Sequence, residues 1–186
     1  MMRLFIGLAL PRSLKDHLAP LMNGLPGARW VSPDNLHLTL RFVGEADERD
    51  AAQLDEALFG IERASFDLQL SGCGIFAQRR GPEAVWIGVA STPPLVDLQA
   101  AVERAVVRSG FAPEEKRFRP HITLARLKDT PQPRLQAFVA GHNLFKETVT
   151  IEEFTLFSSR LGAGDPVYTA EAAYPLIGPD SSLRPE

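Results

Sequence analysis

Arg119-Pro120-His121-Ile122-Thr123-Leu124-Ala125-Arg126 is a strand with two misfits. Pro120 fixes its own φ and pushes Arg119 toward extended geometry, so a strand is expected to start here. Side chains alternate along a strand, which sends His121, Thr123 and Ala125 to one face and Ile122, Leu124 and Arg126 to the other. A buried face should read apolar throughout, yet this one carries an imidazole and a hydroxyl two residues apart. An echo stands upstream at His37-Leu38-Thr39-Leu40, again His and Thr separated by one aliphatic residue.

Working outward, the echo belongs to a longer repeat. Leu4-Phe5-Ile6-Gly7-Leu8 is similar to Val85-Trp86-Ile87-Gly88-Val89, and each is followed by proline and an amphipathic segment. His37 lies 30 residues after Gly7, and His121 lies 33 after Gly88. After each His a further strand ends in an aromatic, over Phe66–Phe76 and Val149–Phe157. The order strand, helix, His-x-Thr-x strand, helix, strand therefore occurs twice, over roughly 3–76 and 85–157. Two such units related by a pseudo-two-fold axis would face their His-Thr pairs across a cleft between lobes. Residues 1–178 are expected to form one bilobal domain, with 179–186 a frayed polar tail.

Hydrophobic periodicity supplies the other elements. A helix is expected over Ser13–Leu25, with Ser13 as a candidate cap and Pro20 marking either a kink or an earlier end. Asp47 should cap a second helix that runs to about Leu58, and Pro94–Ser109 should form a third, closed by Gly110. A short helix is expected around Arg134–Val139. Val149–Ser159 reads as one strand, and Pro166–Tyr174 as its hairpin partner across Gly162–Asp165.

Composition bounds the function classes. The chain has 186 residues, 45% of them hydrophobic, with net charge −3 and pI about 5.8, which disfavours a protein that coats long nucleic acid. One cysteine, Cys73, allows neither an internal disulfide nor a thiolate zinc cluster, and suits a reducing compartment. Pro11 stops the apolar start of the chain and no clean cleavage site follows, so a secretory leader is not expected. No run nears eighteen apolar residues, so no membrane contact is expected and the cytoplasm is the expected compartment.

Two His-Thr pairs have a definite chemistry. One imidazole can accept a proton while the other donates one, on opposite sides of a phosphorus undergoing in-line displacement. Thr39 and Thr123 can donate to phosphoryl oxygens as charge builds there, and an arginine can clamp the same oxygens. Neither a metal nor a cofactor is required by that scheme. Arg126, five residues past His121, reads equally as a clamp or as a surface strand end, because alternation points it away from His121. Phe42, at the matching place after His37, reads as core or as a platform for a base. Arg79, Arg80, Lys128 and Arg160 could rim the cleft or be ordinary solvated charges. His17, on a helix, and His142, in a turn, read as solvated surface residues.

These motifs resemble the 2H phosphoesterase superfamily, and within it the bacterial RNA 2′,3′-cyclic phosphodiesterases, also called 2′-5′ RNA ligases. The resemblance covers nearly the whole chain. It is carried by Arg3–Pro11, by Trp30–Glu45 with His37-Leu38-Thr39-Leu40, by Arg119–Arg126, and by Leu156–Leu161 with Tyr168. The one mild departure is Val43, where the family usually has leucine. The resemblance implies an α+β, bilobal duplicated fold, two antiparallel sheets around a central cleft with helices outside. It implies metal-free hydrolysis of terminal 2′,3′-cyclic phosphate to 2′-phosphate. His37 would be the general acid and His121 the general base; Thr39, Thr123 and Arg126 would hold the phosphoryl oxygens, and Phe42 would lie against the terminal base. The expected partners are RNA termini or small cyclic-phosphate nucleotides, the protein acting as a monomer. The alternatives are 2′-5′ ligation by the reverse reaction, a cyclic phosphodiesterase of a small nucleotide, and non-catalytic binding of RNA ends.

Overall fold

Leu4, Ile6 and Leu8 project from one side of the first strand, β1 (Met2–Ala9), and are essentially without solvent exposure. Phe5 and Gly7 project from the other. β1 is thus buried on both faces, which is why it reads as a continuous apolar run rather than an alternating one. The computed structural model describes residues 1–78 and 81–179. The elements that follow are α1 (Arg12–Leu18), β2 (Ala28–Trp30), β3 (His37–Ala46), α2 (Glu48–Phe59), β4 (Phe66–Gln78) and β5 (Gly81–Val89). Then come α3 (Pro93–Arg108), β6 (His121–Leu127), α4 (Gln132–His142), β7 (Lys146–Ile151), β8 (Glu153–Arg160) and β9 (Val167–Pro175).

The strands form two antiparallel sheets, ordered β3-β1-β8-β9 and β2-β6-β5-β4-β7. Apart from β2 they correspond strand for strand: β3 with β6, β1 with β5, β8 with β4, β9 with β7. Each sheet is therefore mixed in origin. The last strand of the first half, β4, joins the second sheet beside β5, and β8 returns to pair with β1. The two His-bearing strands, β3 and β6, touch where the sheets meet.

Helices cover the outer faces through residues three and four apart. Leu14 and Leu18 of α1, Leu54 and Leu58 of α2, and Leu95, Leu98, Val102 and Val106 of α3 are all 0% exposed. Truncating any of these leucines to alanine would cost about 2–5 kcal/mol, because a close-packed interior cannot refill the gap. Asp47 caps α2 as expected, its carboxylate accepting from the Asp50 N–H at 2.8 Å. Gly7 and Gly88 each admit a neighbouring strand, Gly7 of β1 the His-bearing β3 and Gly88 of β5 the opposite neighbour, β4. A Cβ on Gly7 would sit 2.6 Å from the Leu38 carbonyl oxygen, and one on Gly88 2.5 Å from that of Ser71. Only glycine lets the neighbouring strand approach so closely.

Several expectations are corrected. Val149–Ser159 is two strands in different sheets, because the exposed pair Glu152-Glu153 carries the chain from one to the other. Of the two readings of Pro20 the earlier end holds: the helix stops at Leu18, short of Leu25, and continues only as a 3-10 turn over Ala19–Leu21, with Pro20 in its opening positions, where a missing N–H costs nothing. Ser13 does not cap α1; Pro11 precedes the helix and no side chain caps it. His142 ends α4 rather than lying in a turn; it is half-buried, its Nδ1–H donating to the Phe138 carbonyl at 2.7 Å. Arg79, Arg80 and the tail beyond Pro179 lie outside the described residues.

Candidate active site

β3 and β6 begin on their histidines and bury their residues in the same order: His, Thr half-buried, the intervening aliphatics buried, the two residues after Thr buried, the next exposed. That order breaks strict alternation, and pairing registers show why. Along β5, Val85 faces Ala125 but Trp86 faces Thr123, so Leu124 is an extra residue. Along β1, Ile6 faces Arg41 but Gly7 faces Thr39, so Leu40 is the extra residue. Each is a β-bulge, and a bulge reverses the facing of everything after it. Leu124 and Ala125 both become core, at 0% exposure, and Arg126 turns to the face of His121 and Thr123. Arg126 therefore shares the face of His121 even though strict alternation would point it away. The matching bulge turns Phe42 to the cleft face, 62% exposed, so it is not core.

The two imidazoles are held identically. His37 Nδ1–H donates to the Asn35 carbonyl at 2.6 Å, and His121 Nδ1–H to the Arg119 carbonyl at 2.6 Å. A carbonyl can only accept, so Nδ1 carries the proton and Nε2 of each neutral ring is left with its lone pair toward the cleft. His37 Nε2 lies 2.9 Å from Thr39 Oγ1, which can donate to it.

Aromatic rings wall both histidines. Phe5 and Phe157, stacked at 5.0 Å, flank His37 at 5.0 and 6.2 Å. Trp86 and Phe76 flank His121 at 6.2 and 4.7 Å. Burial in these walls lowers the pKa of both rings, and the carbonyl acceptors oppose this only partly. His37 is lowered further by the positive charges of His121 and Lys15. His121 is lowered further by Arg126. Neutral imidazoles are thus favoured: one is ready to take a proton, and the other can deliver one once an anion between them favours its charged form.

The structure brings His37, Thr39, Phe42, His121, Thr123 and Arg126 to one face of the joined sheets. Lys128 is exposed just past β6, and Arg160, exposed at the end of β8, alternates to the face opposite Ser159 and Tyr168. His17 is exposed as expected and contacts Glu147 at 2.7 Å, outside the cleft. Among the described residues no group of three or more His, Cys, Asp or Glu side chains is placed to hold a metal ion.

Arg41 has no motif in the sequence to mark it. The bulge aims it away from the cleft, 6% exposed, where Nε donates to Glu103 of α3 at 2.5 Å and the other nitrogens donate to the Phe42 and Ala112 carbonyls. Glu103 also accepts from the Glu114 N–H at 2.9 Å. One buried arginine thus ties the strand of His37 to the helix and loop that lead to His121. The only sequence signal was a charge where the repeat has alanine.

The family model described as LigT like phosphoesterase matches residues 8–86 and again 87–168, one copy on each half. An RNA 2′,3′-cyclic phosphodiesterase of Thermotoga maritima is 32% identical over 90% of this chain and 91% of its own. That of Escherichia coli K12 is 30% identical over 90% and 92%. Among solved structures, E. coli LigT complexed with 3′-AMP superposes with TM-score 0.78 at 28% identity, over 94% of this chain and 98% of that one. A Thermus thermophilus protein reaches 0.79 at 27% identity, over 96% and 100%. With a site of paired His-x-Thr strands and a family match spanning both halves, the chain belongs to the LigT-like phosphoesterases.

Proposed function

We propose that this protein is an RNA 2′,3′-cyclic phosphodiesterase that opens a terminal 2′,3′-cyclic phosphate to a 2′-phosphate without a metal ion. The observation that carries the reading is the pair of imidazoles fixed by backbone carbonyls, each with Nε2 toward the cleft, beside two threonines and an arginine. His121, held neutral by burial and by Arg126, takes a proton from water as it attacks phosphorus. His37, once protonated, gives its proton to the departing O3′. Thr39, Thr123 and Arg126 stabilise the phosphoryl oxygens as charge develops, and Phe42 offers its exposed ring to the terminal base. The curated relatives named for this activity, and the 3′-AMP bound by E. coli LigT, support a nucleotide or RNA end as the substrate.

The test is incubation of the purified protein with an oligonucleotide ending in 2′,3′-cyclic phosphate, in excess EDTA. Release of a 2′-phosphate end is expected. A 3′-phosphate product would reverse the assignment of the leaving oxygen, and loss of turnover in EDTA would overturn the metal-free mechanism.

A further inference from the structure

Tyr168 stands on β9, directly across from Ser159 of β8, and its half-buried ring reaches the cleft face of the first sheet. The ring meets His37 edge-on, centroids 5.3 Å apart at 89°, and meets Phe5 edge-on at 4.9 Å. The contrast with Tyr174 on the same strand is informative. The Tyr174 hydroxyl donates to Asp55 at 2.6 Å, whereas among the described residues the Tyr168 hydroxyl has no hydrogen-bond partner. A half-buried phenol without a partner leaves a donor pointing at whatever fills the cleft.

Its placement is secured from both halves. Asn35, whose carbonyl orients His37, donates its side-chain amide to the Pro166 carbonyl at 2.8 Å, two residues before Tyr168. Asp165, the residue before that, is ion-paired at 3.0 Å with Arg29, and Arg29 is paired in register with Arg126. One short stretch of chain thus carries Tyr168 while touching the support of His37 and the neighbour of Arg126. The Arg126 charge is felt at the phenol, where burial nonetheless holds the proton on and keeps the hydroxyl a donor. The second sheet offers no phenol in return: the ring that meets His121 edge-on is Phe76, 4.7 Å away at 89°, and the strand equivalent to β9, β7 (Lys146–Ile151), carries no aromatic residue.

We propose that the Tyr168 hydroxyl is a substrate-binding donor that shares with Arg126 the phosphoryl group held between the two histidines, so that each sheet supplies one arm of the clamp. The inference rests on the cyclic-phosphodiester reading above and adds the arm on the His37 side. It explains why a phenol lies against one imidazole and not the other: the clamp tells the enzyme which ester oxygen faces His37.

Tyr168→Phe keeps the ring on His37 and removes only the donor. With a 2′,3′-cyclic-phosphate oligonucleotide, kcat/KM is expected to fall about 10- to 100-fold, the range for a hydrogen bond to a charged group. Competitive inhibition by inorganic phosphate is expected to weaken by about tenfold, with the thermal midpoint unchanged. Tyr168→Ala should in addition shift the pH profile, because it strips the ring from His37. Unchanged kcat/KM in Tyr168→Phe overturns the inference, as does a fall in kcat/KM with phosphate inhibition intact. Either result leaves the cyclic-phosphodiester reading standing if the wild-type protein turns over, whereas an inactive wild-type protein sinks both.

Discussion

After His37 and Thr39, the first half carries Arg41 and Phe42; after His121 and Thr123, the second carries Ala125 and Arg126 in the same two places. Around those differences the backbone repeats: the same bulge three residues after each histidine and the same carbonyl two residues before it. The difference teaches a division of labour. Repetition supplies two imidazoles held in the same way, and the unrepeated side chains make them unequal. Burial lowers the pKa of both rings, Arg126 adds to this at His121 alone, and Tyr168 lies against His37 alone.

The comparison breaks first at the histidines. Replacing either His37 or His121 by alanine is expected to lower kcat by about 10²- to 10⁴-fold, the usual worth of a positioned acid or base. The double variant should be scarcely worse than either single one, because the two act as a unit. Steady-state kinetics with circular dichroism checks this; near-normal turnover by one variant would mean that only one half is catalytic.

A stability difference comes next. Arg41→Met leaves Glu103 and two backbone carbonyls without their donor, at a cost of about 2–4 kcal/mol. Urea unfolding measures it. An unchanged midpoint would remove Arg41 as the tie between the halves.

Arg126→Gln sharpens the comparison through pH. Removing the positive charge should raise the His121 pKa, since Arg126 is one of the groups that lower it. A base works only when deprotonated, so the acidic limb of kcat/KM should move to higher pH, alongside a fall of about tenfold or more at the optimum. A shift of the alkaline limb instead would exchange the roles of the two histidines.

The smallest effect is expected at Phe42. With 62% of its surface exposed, Phe42→Ala should change stability by less than about 0.5 kcal/mol. KM for the oligonucleotide should rise by roughly tenfold through lost stacking while kcat holds. Equal KM values for base-bearing and abasic ends of the wild-type protein would show that Phe42 contacts no base.

Much was legible in local signals. Asp47 before an apolar 3.6-residue pattern, Pro and Gly around the third helix, and the paired His-x-Thr-x runs all act through neighbours in sequence, and these elements form where expected. Val149–Ser159 misled because each piece alternates correctly, and only the doublet Glu152-Glu153 marks the change of sheet. Arg126 misled for the complementary reason: a bulge is a relation between two strands, and one strand's pattern carries no record of it.

By itself the sequence determined the apolar strands and helices, the duplication, and the paired His-x-Thr runs, because side-chain chemistry and periodicity are properties of the chain. Tertiary structure decided the rest. It exchanged β4 and β8 between the halves, chose carbonyls to fix both imidazoles, and buried Arg41 as a tie. It also turned Arg126 and Phe42 toward the cleft. Each of these depends on which strand lies beside which, and strand partnership is settled only when the two sheets close on their common junction.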